Sequence, residues 1–361
     1  AIFLPDMIES SGGNTRRYYS LEIAGGLAAL MLLPLLAMAG YRWVFGGYLL
    51  SFLAIAVLLS ASARNLALLS AMVLLFLGSY DALDKNPSAW FYRHWYAGAG
   101  VTRIIHTTYS PYHKVEVASD RNEHPMLLLN SHAQFTHAGH ANYSYFAAEF
   151  PASILGGRPR ACLLGCGSMS TVGRIGAMVR WIDIVDIDRA VFEVSKMHFA
   201  AYNHLDHLRN WTFHADDAKH FLASGREEFD LIIDDIPPAR TRQVALTYTK
   251  EFFQLVESRL ASRGIFSLPS LVSVEAHDSY GRKIAATMRS VFDKVFILQR
   301  RGTSYLYGCN AGFTFDRPRL IRALNHWDKD NVRFLGPDKV DRLIEGTPVI
   351  TVNNTAELIY D

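Results

Sequence analysis

Apolar residues are concentrated in the first quarter of the chain. Residues 20–40, 43–61 and 66–80 form three long apolar stretches that contain almost no charge. A bilayer core about 30 Å thick takes about 20 apolar residues in a helix, so the pattern predicts three transmembrane helices, of which the third is short. A buried helical domain is the alternative interpretation.

The rest of the chain shows the periodicity of an α/β protein. Residues 102–117 and 126–129 predict strands of a small β region, and residues 143–155 predict a helix. Apolar strands then alternate with amphipathic helices, which predicts a doubly wound, parallel, Rossmann-like sheet with helices on both faces. The predicted strands are 161–164, 181–185, 211–214, 230–234, 264–269 and 294–299, and the predicted helices are 170–179, 190–199, 218–223, 250–260 and 278–292.

These patterns divide the chain into five parts. They are a transmembrane helical region at residues 1–80, an interfacial connector at 81–100, a small β domain at 101–142, a Rossmann-like nucleoside-binding domain at 143–310, and a C-terminal extension at 311–361. The connector is rich in Trp and Tyr, which suits a membrane interface. The chain does not begin with Met, and its first residues look like the end of another apolar segment, so we expect a fragment or one half of a split protein.

Composition narrows the classes of function. The formal net charge is +2, and Lys and Arg are scattered along the chain, which argues against nucleic-acid binding. The three cysteines form no C-x-x-C pattern, as is usual in a reducing compartment. The histidines have no zinc-finger or H-E-x-x-H spacing, so no metal site is predicted.

A nucleotide-binding βαβ unit is predicted at residues 160–189. Gly165 and Gly167 form a turn after an apolar strand, and Asp186 ends the next strand about 20 residues later. Glycines allow a ligand to approach the backbone, and the acid can accept hydrogen bonds from both ribose hydroxyls. Because Ser168 and Ser170 stand where a dinucleotide-binding turn has its later glycines, the turn favours an S-adenosylmethionine-type nucleoside over NAD.

Seven short segments in register resemble the spermidine synthase family, in particular its membrane-fused bacterial branch. One of them, FDLIIDDIPP at residues 229–238, resembles the family's Y-D-V-I-I-V-D-x-x-D-P. The other six are SPYHKV at 110–115, LLLNSHAQF at 127–135, LLGCGSMSTVGR at 163–174, VDID at 185–188, DDAKHFL at 216–222 and LTYTKEFFQLVESRLASRGIFSL at 246–268.

The resemblance implies a role for each matching residue. It implies a catalytic base at Asp235 and a tyrosine, Tyr248, that positions the acceptor. On the nucleoside side it implies Asp186 for the ribose and Asp217 for the adenine amino group. The full set of expected cofactor-binding residues is Gly165, Gly167, Ser168, Asp186, Asp217 and Gln134.

The departures from the family pattern concern the acceptor. Pro238 stands in place of the second acid of D-x-x-D-P, and Asn130 in place of the acid of L-D-G. The acidic segment D-E-x-x-Y-H-E keeps only Tyr143, and we expect His140 there to favour a neutral or anionic acceptor. An unpaired ammonium in a closed pocket costs several kcal/mol. The acceptor is therefore expected not to be the usual diamine. Ser168 replaces the acid that holds the donor's amino group.

These observations predict a membrane-anchored transferase that uses decarboxylated S-adenosylmethionine or S-adenosylmethionine. An S-adenosylmethionine-dependent methyltransferase is one alternative, and a non-catalytic subunit of a membrane assembly is another. The expected partners are membrane lipid, a small-molecule or lipid acceptor, and further membrane proteins or a second copy of the chain, but no nucleic acid. The expected location is the inner membrane, in several passes, with the soluble domain facing the cytoplasm, where the donor is found.

Overall fold

The computed structural model describes residues 41–58, 62–95, 100–237, 239, 241–270, 273–275, 279–326 and 331–359, with the single residues 23, 25, 27 and 32. The chain divides into two compact units. One comprises Ala1–Gly98 with Thr107–Tyr109, and the other comprises Ala99–His106 with Ser110–Asp361. The predicted 20–40 span lies almost wholly outside the described residues.

Two helices make up the described part of the first unit, α1 at Tyr41–Leu58 and α2 at Ala63–Trp95. Within the described residues, one stretch, Ala63–Tyr80 in α2, is long and apolar enough to cross a membrane, and 6% of it is buried. The three predicted spans therefore stay a prediction. The predicted connector begins as a continuation of α2, which includes Pro87.

The small β region is a four-stranded sheet in the order β1-β2-β3-β4. Its strands are Arg103–Tyr109, Lys114–Ser119, Pro125–Leu129 and His132–Phe135. The single strand predicted at 102–117 is in fact two strands. Ser110 separates them, because its hydroxyl accepts hydrogen bonds from the amides of Tyr112 and His113 and so holds a tight turn.

An eight-stranded sheet in the order β12-β10-β11-β9-β8-β5-β6-β7 forms the centre of the second unit. Strands β9, β8, β5, β6 and β7 are parallel, which confirms the Rossmann-like α/β class. The strands are Arg160–Leu164 (β5), Trp181–Asp186 (β6), Trp211–Ala215 (β7), Phe229–Asp234 (β8), Leu260–Pro269 (β9), Lys294–Arg300 (β10), Thr303–Cys309 (β11) and Val332–Leu335 (β12).

The prediction of a fully parallel sheet was wrong at one end. Strand β11 is antiparallel to both β9 and β10, and β12 is antiparallel to β10. Neither β11 nor β12 was predicted. Arg301 and Gly302 have φ of 48° and 81°, the left-handed pair of a two-residue hairpin turn, so β10 returns directly as β11 without a crossover helix.

Helices cover both faces of the large sheet. They are His137–Ser144 (α3), Phe150–Leu155 (α4), Ser170–Ile175 (α5), Arg189–Phe199 (α6), Ala218–Ser224 (α7), Arg242–Ala245 (α8), Lys250–Ser258 (α9), Tyr280–Arg289 (α10), Arg317–His326 (α11), Pro337–Leu343 (α12) and Ala356–Ile359 (α13). A π-helical turn at Tyr145–Glu149 joins α3 to α4. Because side chains alternate along a strand, Leu163 and Ile233 enter one apolar core and Leu164 and Ile232 the other.

Candidate active site

The glycine turn after β5 lies directly against the end of β8. The Asp235 amide donates a hydrogen bond of 2.7 Å to the Leu164 carbonyl. Gly165 has φ of +89°, and a Cβ added there would lie 2.7 Å from the Asp235 carbonyl oxygen. The first glycine is therefore required by a neighbouring backbone as well as by the turn. This packing brings Asp235 next to the predicted nucleoside loop.

The rest of the turn is held from the side of α6. The Ser195 hydroxyl donates a 2.6 Å hydrogen bond to the Gly167 carbonyl, and the side-chain amide of Asn203 donates a 2.7 Å hydrogen bond to the Ser168 carbonyl. Ser168 itself is buried. Both carbonyls are fixed, and so the turn is a rigid cradle before any ligand binds.

Asp186 lies at the end of β6 and faces the glycine turn. Its Oδ2 accepts a hydrogen bond from the Cys166 amide and its Oδ1 accepts one from the Asp188 amide, both at 2.8 Å. Burial raises the pKa of Asp186, while the two amide bonds act in the opposite direction. The Cys166 thiol also donates to this carboxyl group. A carboxylate has about four acceptor positions, so at least one remains for a hydroxyl group. The arrangement is compatible with the predicted ribose contact.

Asp188, which sequence reasoning did not single out, joins three elements. It caps α6 through the Ala190 amide, and it accepts hydrogen bonds from Ser110 Oγ at 2.5 Å and His113 Nδ1 at 2.8 Å. Burial raises its pKa, but the bonds from His113, Ser110 and the Ala190 amide outweigh burial, so the pKa is lowered overall. The S-P-Y-H and V-D-I-D segments are therefore in direct contact in the fold, through the hydrogen bonds of Ser110 and His113 to Asp188.

The other predicted nucleoside contacts are less defined. Asp217 is exposed and caps α7, since its Oδ1 accepts hydrogen bonds from the Lys219 and His220 amides at 2.9 and 3.2 Å. Gln134 is exposed on β4 of the small sheet. Their roles toward the nucleoside stay predictions.

Asp235, the predicted base, is held by two hydroxyl groups. Its Oδ1 accepts a hydrogen bond from the Tyr143 hydroxyl, and its Oδ2 accepts one of 3.4 Å from Thr171. Burial raises the pKa of Asp235 to about 7, although both hydrogen bonds lower it. A carboxyl group in this range can accept a proton at neutral pH. Thr171 had no signal in the sequence, whereas Tyr143 was visible as the retained tyrosine of the acidic segment.

Tyr248 is buried behind the loop that follows Asp235. Its hydroxyl donates to the carbonyls of Ile236 and Pro237, at 3.3 and 3.2 Å. It therefore shapes the acceptor loop through the backbone, and direct contact with an acceptor stays a prediction. Pro238 lies outside the described residues.

Asn130 and His140, two departures on the acceptor side, have partners within the protein. Asn130 Oδ1 accepts a 2.8 Å hydrogen bond from the Lys114 amide, so Asn130 holds the β2–β3 hairpin. The His140 ring packs on Phe135 and Tyr202, at centroid distances of 4.9 and 5.8 Å. The predicted effect of His140 on acceptor charge stays a prediction.

Together, the glycine turn, the acid at the end of β6 and the buried carboxyl group after β8 define a Rossmann-like fold of the methyltransferase type. All three lie at the carboxyl edge of the parallel strands, where ligands bind in such sheets.

Comparison with known proteins shows which proteins of this fold the chain resembles. The model of the spermine/spermidine synthase domain matches residues 174–303. Polyamine aminopropyltransferase 2 of Pseudomonas aeruginosa is 26% identical over 252 residues, which cover 67% of this chain and 70% of that protein. The polyamine aminopropyltransferase of Thermococcus kodakarensis is 25% identical over 297 residues, covering 74% and 99%. Polyamine aminopropyltransferase 2 of Aquifex aeolicus is 27% identical, and this chain spans about half of its length, 49%.

Solved structures agree on the fold. The spermidine synthase of Thermotoga maritima superposes with a TM-score of 0.53 at 17% identity, over 68% of this chain and 88% of that one. A probable spermidine synthase from Corynebacterium glutamicum gives 0.54 at 18% identity, over 69% and 97%. The domain match and these relatives confirm the resemblance to the spermidine synthase family that the motifs predicted, and the solved structures agree with its fold. Its curated relatives are transferases.

Proposed function

We propose that this chain is a membrane-anchored, spermidine-synthase-like aminopropyltransferase whose acceptor is not the usual diamine. One observation carries the proposal. Asp235, with a pKa raised to about 7, lies beside the glycine turn and is held by Tyr143 and Thr171. This places a proton acceptor at the edge of the sheet where the donor nucleoside is expected.

The donor would be held by this chain's own residues as follows. Gly165 and Gly167 leave space against the turn, and Asp186 offers a remaining acceptor position to the ribose hydroxyls. The donor supplies a sulfonium, which makes the adjacent carbon electrophilic. The acceptor nitrogen attacks that carbon, a carbon–nitrogen bond forms, and the carbon–sulfur bond breaks with its electron pair going to sulfur.

Asp235 would take the proton that the acceptor nitrogen loses. Its ordinary role would be that of a general base with a pKa matched to neutral pH. Tyr143 fixes the Oδ1 side of the carboxyl group, so Oδ2, which has the longer 3.4 Å bond to Thr171, is the oxygen better placed to receive the proton. Most of the rate enhancement would come from orientation of donor and acceptor.

Methyl transfer is the second candidate, and Ser168 favours it. The family's glycine-loop acid holds the donor's amino group, and this chain has a buried serine there. Ser168 lies two residues before α5 begins, and a serine in place of the acid removes a repulsion toward the carboxylate of S-adenosylmethionine, which a helix N-terminus can accommodate. The donor is therefore proposed to be either decarboxylated S-adenosylmethionine or S-adenosylmethionine, and the product decides between them.

The acceptor is proposed to be a small molecule or a lipid headgroup with fewer positive charges than a diamine. The acids that the family pattern has at Asn130 and Pro238 are absent, and Asn130 is engaged in the β2–β3 hairpin. A dication would then meet too few carboxylates to offset its desolvation. Loss of the same acids is also the argument for a non-catalytic subunit. Product analysis distinguishes such a subunit from a transferase.

Membrane anchoring rests on α2. Leu68, Met72, Leu74 and Leu75 are each more than half exposed in a stretch long and apolar enough to span a bilayer. Such a surface is unfavourable in water and favourable in lipid. We place the chain in the inner membrane with the transferase domain facing the cytoplasm, in contact with lipid and with further membrane proteins or a second copy. Carbonate extraction and protease protection of membrane vesicles test the location.

Product analysis tests the activity. The detergent-solubilised protein is incubated with each donor and with putrescine, monoamines or phosphatidylethanolamine. Methylthioadenosine as the product indicates aminopropyl transfer, and S-adenosylhomocysteine indicates methyl transfer. Asp235→Asn should reduce either product by at least about 100-fold. Binding of donor without any product across the panel would favour the non-catalytic subunit.

A further inference from the structure

Asp234, the residue before the proposed base, is an acid where the matching family segment has valine. FDLIIDDIPP aligns with Y-D-V-I-I-V-D-x-x-D-P, and the second valine falls at residue 234. The chain has lost acids elsewhere on the acceptor side but has gained this one. Because Asp234 ends β8 and Asp235 follows it, the two side chains leave the backbone toward opposite faces of the sheet.

The Asp234 carboxyl group is buried and only half satisfied. Its exposed fraction is 2%, and its Oδ1 accepts a 3.1 Å hydrogen bond from the Ile236 amide. Its Oδ2 has no hydrogen-bond partner among the residues that the structure describes. An ionised carboxylate in such a position lacks the counter-charge and hydrogen bonds that offset its desolvation. A protonated carboxyl group avoids most of this desolvation cost.

Among the residues that the structure describes, the titratable groups that face Asp234 carry no positive charge. They are Asp235 next to it, Tyr248 before α9, Tyr280 at the start of α10 and Tyr143 on α3. Burial, together with the smaller effect of the Asp235 charge, raises the pKa of Asp234 to about 8, although the hydrogen bond from the Ile236 amide lowers it. None of the ion pairs between described residues includes Asp234 or Asp235.

We propose that Asp234 and Asp235 share a single negative charge in the resting protein, and that Asp234 is the member of the pair that keeps the proton. Asp234 is buried and Asp235 half-buried. Two adjacent carboxyl groups of this kind, with no cation beside them among the described residues, cannot both ionise at low cost, so they titrate as a coupled pair. Asp234 is then a positioning residue. It holds the Ile236 amide and, while neutral, leaves Asp235 free to carry the charge that accepts a proton.

The consequence for transfer rests on the role proposed above for Asp235. At neutral pH the site would present one carboxylate to the acceptor, and it would present a second only when the pH rises above about 8. A chain with valine at this position has no such second step. Asp234 therefore adds a negative charge at alkaline pH, which the valine of the family segment cannot do.

Infrared titration of aspartate-labelled protein tests the pair directly and needs no activity. At pH 7 the wild-type protein should show the band of a protonated carboxyl group, and Asp234→Asn should remove the part of this band that titrates near pH 8. In Asp235→Asn the band should remain but titrate at a pH lower by roughly 1 unit, because the neighbouring charge is gone. Asp183→Asn is the matched control. Asp183 is also buried but pairs with Arg160 and His214, so its substitution should leave the band unchanged.

Two results would overturn the proposal. One is a band titrating near pH 8 that survives Asp234→Asn, and the other is an Asp234 titration that does not move in Asp235→Asn. The pH–rate profile is the second measurement. The wild-type protein should show two inflections and Asp234→Asn one. An inactive protein with a normal infrared titration would refute the proposed transferase and leave the shared charge standing, so the two failures are distinguishable.

Discussion

The hydroxyl of Tyr143 donates a hydrogen bond to Oδ1 of Asp235, across 92 positions of sequence. The contact joins α3, which follows the small sheet, to the end of β8 in the large sheet. Burial and the Asp235 charge raise the pKa of Tyr143, so the hydroxyl stays a donor throughout the neutral range. This hydrogen bond lowers the pKa of Asp235, whereas burial raises it, and burial has the larger effect.

Removal of this donor is expected to shift the pH dependence of transfer. In Tyr143→Phe the carboxylate of Asp235 loses a hydrogen bond to its charged form, so its pKa rises above about 7. The proposed base is then ionised only at higher pH, and the rising limb of kcat/KM should move up by about 1 unit, with a loss of about fivefold at pH 7. The pH–rate profile measures the shift.

Tyr145→Phe is the matched control for Tyr143→Phe. Tyr145 is also buried, but its hydroxyl donates to the Ala323 carbonyl on α11 and not to Asp235. Its loss should cost about 1 kcal/mol of stability and leave the pH profile in place. An identical profile in wild type and Tyr143→Phe would show that the Tyr143 bond does not set the protonation of the base.

The glycine turn gives a second prediction. In Gly165→Ala a methyl group would lie 2.7 Å from the Asp235 carbonyl oxygen, at a φ of +89° that alanine adopts poorly. We expect a loss of at least about 2 kcal/mol in the free energy of unfolding and more than tenfold weaker binding of methylthioadenosine. Thermal unfolding and calorimetric titration measure the two effects.

Gly157→Ala is the control that separates the backbone strain of a positive φ from the steric clash expected in Gly165→Ala. Gly157 has φ of +70°, but nothing lies within 4 Å of an added Cβ. This variant should lose only the cost of the left-handed conformation, about 1 kcal/mol, and should bind methylthioadenosine normally. Equal destabilisation of both variants would mean that the close approach to Asp235 contributes nothing.

Much of this arrangement was predictable from the sequence, because it depends on local signals. The apolar run before Gly165 and the acid at Asp186 placed β5, β6 and the turn between them. Contacts between distant segments were not predictable. Nothing near Thr171 indicates that its hydroxyl reaches Asp235, and the return of β10 as β11 depended on two left-handed residues, one of them Arg301, that only the backbone reveals.

Asp186 gives a third prediction, on donor binding. Asp186→Ala removes the oxygens available to the ribose and the two acceptors of the Cys166 and Asp188 amides. Affinity for methylthioadenosine and for either donor should fall by about 10- to 100-fold, as expected for loss of hydrogen bonds to a charged group. Asp217→Ala is the comparison, since it removes a helix cap at an exposed position. If Asp186→Ala leaves the affinity for methylthioadenosine unchanged, the ribose assignment is incorrect.

The last prediction concerns acid stability and Asp188. Its folded-state pKa is lowered, because bonds from His113, Ser110 and the Ala190 amide outweigh burial. The unfolded chain therefore binds a proton more tightly at this residue, and the stabilisation is present above the unfolded pKa of about 3.9 and is lost as the pH falls through the folded value.

Urea denaturation of wild type and Asp188→Asn measures this stabilisation. At pH 7 the variant should be less stable by about 1–3 kcal/mol, since it loses a charged partner of His113 and Ser110. The difference should shrink below pH 4, where the wild-type carboxylate also becomes protonated. His113→Ala should show a smaller loss with the same pH trend, because Ser110 and the Ala190 amide still bind Asp188. A difference that stays constant from pH 7 to pH 3 would show that packing around Asp188, and not its charge, joins the small sheet to α6.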